Sequence, residues 1–121
     1  MWKYEQSTGR MYAKTGKLVA TGYAGKGEHK NKHADQNLVG VGPLPVGKYV
    51  ITAPRTSAQT GPYAMPLDPN KDNVMFGRSS FQIHGDSIKA PGTASSGCII
   101  MPRNIRELIW NSGDHDLEVV A

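Results

Sequence analysis

With 121 residues the chain has room for one domain and a modest hydrophobic core. An apolar content of 38% excludes disorder, while 14 glycines and 8 prolines predict a loop-rich globule. Fourteen basic against ten acidic residues leave a charge of +4, which favours an anionic partner, yet no basic run interleaved with aromatics points to nucleic acid.

In chain order, Trp2–Gln6 and Met11–Ala13 read as short strands around the turn Ser7-Thr8-Gly9. Leu18–Tyr23 follows the turn Lys14-Thr15-Gly16, which completes an amino-terminal meander. Gly25–Gly42 is a polar loop. Within it His29 and His33 stand four apart, a spacing that would put two imidazoles on one helical face for zinc. The lysine-rich surroundings carry no apolar stripe, so a solvated loop is expected there, with no metal and no cofactor. Gly47–Ala53 is a strand rich in aromatic and β-branched residues, punctuated by Pro45 and Pro54. Arg55–Asn73 reads as a second long loop, and loops of that length are usually functional. Ser80–His84 is a further strand. Pro102–Asn111 is the one convincing helix, with Pro102 at its first position, Ile105, Leu108 and Ile109 on one apolar face, and Gly113 as its stop. Asp116–Val120 returns as a last strand. The expected fold class is therefore mainly β, one domain over 1–121 with one or two short helices.

No apolar stretch follows a basic segment at the amino terminus, and no run approaches transmembrane length, so neither a signal peptide nor a transmembrane segment is expected. A single cysteine excludes an internal disulfide and leaves one free thiol. That thiol, Cys98, follows His84 by fourteen positions, and both residues stand where an apolar run meets glycine: Ile83-His84-Gly85 and Gly97-Cys98-Ile99. A catalytic thiol needs an imidazole to take its proton and backbone amides around the developing oxyanion. His84 fits the base, Cys98 the nucleophile, and the amides of Gly97 and Cys98 the oxyanion donors. The bland alternative is a packed core thiol beside a satisfied strand-end histidine. The order, histidine first, disfavours a papain-like arrangement, and the separation is too short for a caspase.

Ile83-His84-Gly85 followed by Ser95-Ser96-Gly97-Cys98-Ile99 resembles the active-site signature of L,D-transpeptidases. Ser96 stands where that signature has its second histidine, and Ile100 where an arginine commonly follows. Together with Trp2-Lys3-Tyr4, Ser7-Thr8-Gly9, Gly42-Pro43-Leu44-Pro45, Gly47-Lys48-Tyr49 and Gly61 to Leu67, these motifs resemble the L,D-transpeptidase-like effector domains of type VI secretion. The resemblance implies an L,D-transpeptidase-like β-sandwich or barrel. It also implies an antibacterial toxin made in the cytoplasm and delivered, by type VI secretion or phage-type release, to the periplasm of a target cell. There it would trim peptidoglycan tetrapeptide stems, or exchange their terminal D-alanine, with water or a D-amino acid as acceptor. An immunity protein is an implied partner. Gly85 or Asp86 would orient His84 through a backbone carbonyl, and Ser95, Ser96, Tyr63 and Arg78 would contact substrate, Tyr63 packing on a stem and Arg78 pairing with a carboxylate. For the last two, the residues alone allow equally that Tyr63 staples a loop and Arg78 is solvated. Rival readings are a basic, non-catalytic wall-binding module and a zinc-dependent wall hydrolase.

Overall fold

Trp2 and Tyr4 are buried and Lys3 is exposed in β1 (Trp2–Glu5), the period-two pattern of a strand with one face on a core. The turn at Ser7–Gly9 leads into β2 (Arg10–Tyr12), and β3 (Leu18–Thr21) pairs back on β2, forming the expected meander. The computed structural model describes all 121 residues. Its remaining elements are β4 (Tyr23–Ala24), β5 (Gly47–Ile51), β6 (Arg55–Ser57), β7 (Gly61–Pro69), β8 (Gln82–His84), β9 (Ile99–Ile100), the helix α1 (Arg103–Asn111) and β10 (Asp116–Val120). The molecule is mainly β with one α-helix, as expected.

The strands form one mixed sheet in the order β3-β2-β1-β10-β5-β7-β8-β9-β4, with β6 added on β7. Two pairs are parallel, β1 with β10 and β8 with β9. β7 hands the sheet from one half to the other: its start pairs with β6, Met65 and Pro66 with β8, and Leu67 to Pro69 with β5. The prolines of this segment made Arg55–Asn73 read as a loop, whereas it folds as the β6–β7 hairpin. Pro66 is tolerated because only its carbonyl is needed, accepting the N–H of Thr52 at 2.9 Å and its hydroxyl at 2.8 Å. The N–H that proline lacks falls where the strand changes partner.

Leu18–Tyr23, expected as one strand, is divided at Gly22 into β3 and β4, which lie at opposite ends of the sheet order. One residue therefore joins the two edges, and the open sheet bends back on itself around its core. The seam is tight. A Cβ on Gly22 would sit 1.8 Å from the Ile100 carbonyl oxygen, and one on Gly9 would sit 2.0 Å from that of Gly22. The Gly22 N–H donates to Gly9 O at 2.8 Å.

Inside lie Tyr4, Met11, Ile51, Met65, Ile83, Ile99, Ile109 and Leu117, all sealed from solvent. Helix α1 packs against β7 and β8. Pro102 is its cap rather than its first residue, extended at φ −60° and ψ 158°, and its carbonyl accepts from the amides of Ile105 and Arg106. Ile105 and Ile109 face inward as expected, but Leu108 is 49% exposed, and Arg106 takes the inner position at 5%. The 25–42 segment holds two short 3-10 turns, at Gly27–His29 and His33–Asp35. One histidine sits in each. His29 Nδ1 is 2.8 Å from Asp35 Oδ2 and His33 Nδ1 is 2.6 Å from Gln6 Oε1, so the two rings turn to different partners instead of sharing a helical face.

Candidate active site

The parallel register of β8 and β9 sets Ile83 beside Ile99 and His84 beside Ile100. One step back, Cys98 meets Gln82, whose N–H donates to Cys98 Sγ at 3.3 Å. Strand alternation puts Gln82 and His84 on the same face, so the imidazole lies diagonally across from the thiol. No hydrogen bond joins them directly. His84 Nδ1 lies 2.8 Å from Gly85 O, and because a carbonyl can only accept, Nδ1 carries the proton and Nε2 keeps its lone pair. Of the two residues expected to orient His84, Gly85 makes this contact. Asp86 turns away: its carboxylate accepts from Tyr23 Oη at 2.6 Å and from the amides of Ser87 and Gly92.

Burial lowers the His84 pKa below its ordinary value, the Gly85 carbonyl partly opposes this, and the Arg106 charge adds to it. Burial raises the Cys98 pKa, against the Gln82 N–H and the Arg78 charge. Both shifts favour the neutral pair, imidazole and thiol. For Asp86 desolvation would raise the pKa, but the bonds from Tyr23, Gly92 and Ser87, with the Lys30 charge, hold it below the usual carboxylate range.

Two residues expected to contact substrate, Ser95 and Arg78, instead build the Cys98 loop. Ser95 is buried, and its hydroxyl accepts from the amides of Gly25 at 2.8 Å and Gly97 at 3.0 Å while donating to Cys98 O at 2.7 Å. It is a brace with every bonding direction used. The Gly97 amide is therefore given to Ser95 and is not a free oxyanion donor, whereas the Cys98 amide donates to no other residue. Glycine is required at 97 for a different reason than expected: with φ at 144°, a Cβ there would lie 2.6 Å from Arg78 Nη2 and 2.8 Å from the Phe81 ring.

Arg78 is the second brace. Instead of reaching for a ligand carboxylate, its guanidinium is buried and donates to the carbonyls of Gln36, Pro43, Gly42 and Ser96. It ties the 36–43 segment to the Cys98 loop. Tyr63 packs against the core and lies under the Arg103 guanidinium at 4.6 Å, so it supports a cavity residue without lining the cavity. Ser96 has an exposed side chain beside Cys98.

A cavity of about 990 Å³ opens on the His84 side. Its walls include Thr21 to Tyr23 at the seam, Gln59 to Pro62 at the β6–β7 turn, His84 to Lys89, and Arg103 and Arg106 from α1. Cys98 is half-buried and is not part of the lining. The Arg55–Asn73 segment thus contributes a wall of the cavity, whereas Gly25–Gly42 does not line it and instead braces the Cys98 loop. Sequence reasoning missed Gln82 and Arg106. Gln82 stands two before His84 on one strand, and Arg106 three before Ile109 on one helix, so the parity of each element placed both.

The family model of the Tlde1 domain matches residues 19–120. The chain belongs to the Tlde1 domain family. It is accordingly an antibacterial effector domain of type VI secretion. No curated protein and no solved structure matches it. No helix of this Tlde1 domain is long and apolar enough to cross a membrane.

Proposed function

We propose that this Tlde1 domain is an acyl-transfer enzyme of the L,D-transpeptidase type that acts on peptidoglycan tetrapeptide stems in the periplasm of a target cell. The observation that carries the proposal is the β8–β9 register, which sets a histidine with a fixed tautomer and an open Nε2 diagonally across from the chain's one thiol. In the first step Cys98 Sγ attacks the carbonyl between the L-centre of diaminopimelate and the terminal D-alanine. The thiol proton passes to His84 Nε2, the C–S bond forms, and the Cys98 amide donates to the oxyanion. As the C–N bond breaks, His84 returns that proton to the leaving amine. In the second step water, or the amine of a D-amino acid, attacks the thioester and gives its proton through His84 to the departing sulfur. The outcome is L,D-carboxypeptidase action with water and exchange with an amine. With Ser96 in place of the second histidine of the transpeptidase signature, small acceptors are favoured over a second stem.

Purified tetrapeptide muropeptides, incubated with substoichiometric protein with and without a D-amino acid and read by mass spectrometry, should yield tripeptides and exchanged tetrapeptides without new cross-linked dimers. Unchanged muropeptides together with retention on sacculi would instead establish the wall-binding module.

A further inference from the structure

Arg106 is the unexplained group of the cavity. Its side chain is 5% exposed, yet Nε and Nη1 are sealed from solvent without any hydrogen-bond acceptor. No carboxylate of the chain pairs with it, since the one ion pair on α1 joins Arg103 to Glu107. A buried guanidinium without a partner is strongly disfavoured unless an anion completes it. Arg106 lines the cavity beside His84, and it lies so close to the His84 loop that a Cβ on Gly85 would be 2.7 Å from its Nη1. Arg103, held over the Tyr63 ring at 4.6 Å, lines the same cavity and adds a second positive charge. The cavity thus offers a planar bidentate donor next to the general base, the geometry that matches a carboxylate.

The position relative to His84 says which carboxylate. His84 exchanges its proton with the amine that leaves the stem or enters the acyl-enzyme, so that amine lies at Nε2. In an α-amino acid the carboxylate is one carbon away from that nitrogen. We propose that Arg106, assisted by Arg103, holds the α-carboxylate of the leaving amino acid and of the amino acid that replaces it. This rests on the acyl-transfer reading above. It restricts cleavage to a single carboxy-terminal residue and makes the free acid, not its amide, the acceptor. In the exchange the incoming amine nitrogen forms the new amide bond as the thioester C–S bond breaks, and its proton reaches the sulfur through His84, so no further reactant is needed.

Two measurements test it. In the Cys98→Ala protein, which cannot turn over, the Arg106 side-chain NMR resonance should shift saturably with D-alanine and not with D-alaninamide. With the wild-type protein, exchange onto D-alanine should exceed exchange onto D-alaninamide at equal concentration by at least about tenfold, and Arg106→Gln should abolish that preference. Equal use of acid and amide by the wild-type enzyme, or an Arg106 resonance that ignores D-alanine, would overturn the carboxylate site while leaving acyl transfer standing. Absence of turnover on any stem would instead remove the enzymatic reading, and the resonance titration would still decide whether Arg106 takes a carboxylate.

Discussion

Cys98 and His84 are held so that each prefers its neutral form, and this fixes how the pair should respond to pH. The His84 pKa is lowered, so protonation favours the unfolded chain. The stability it confers is complete above the ordinary imidazole value of 6.5 and is lost as pH falls below it. The Cys98 pKa is raised above its ordinary value of 9.0, so little thiolate exists at neutral pH. Iodoacetamide labelling of Cys98 should therefore stay slow at pH 7 and rise only above pH 9, while the acid limb of kcat/KM should fall below pH 6.5. Rapid labelling at neutral pH would reveal an ion pair in place of the neutral dyad. Attack then requires the base within the same step, so the two residues act as one unit. Cys98→Ala and His84→Ala should each reduce turnover by at least about a thousandfold, and the double variant should lose no more than either alone. Additive losses, measured on the same muropeptide, would break the dyad. A residue can also be read correctly for a mistaken reason: glycine at 97 is demanded by Arg78 and Phe81, and its amide serves Ser95.

At the scale of elements, the strands with clear alternation were legible from sequence, and β10 falls at the expected residues Asp116–Val120. The β6–β7 hairpin was not, because three prolines and a positive φ at Tyr63 argue against a strand locally while pairing on two sides holds it in place. β9 is only two residues long and draws its order from β8 and β4, partners that no local pattern announces. In α1 the apolar spacing located the helix but misjudged its inner face. Ile109 is fully buried and Leu108 half exposed, so Ile109→Ala should destabilise by about 3 kcal/mol and Leu108→Ala by under about 1 kcal/mol in urea unfolding. Equal costs would mean that the helix is rotated about its axis. The candidate site was legible where chemistry is rare, at one cysteine and one glycine-flanked histidine. Its braces were hidden because the side chains of Arg78 and Ser95 bond to backbone atoms of other residues, and such partners leave no signature in residue type.

For the whole molecule, the proposed substrate lies outside the cytoplasmic membrane, so harm should depend on place. Expressed in the cytoplasm of a bacterium, the protein should be tolerated. Fused to an export signal it should cause swelling or lysis, and Cys98→Ala should remove that toxicity in a growth and microscopy assay. Equal toxicity without the signal would place the target elsewhere. The sheet order carries a consequence of its own. β10, from residues 116–120, lies between β1 and β5, so the strand latest in sequence is the bridge between strands from the beginning and the middle. Until it arrives, β1 to β3 and the set running from β5 through β7, β8 and β9 to β4 are two half-sheets, each with an unpaired facing edge. A chain emerging from a ribosome, or threading in the same direction, therefore has β8 and β9 in hand before its two halves can be joined.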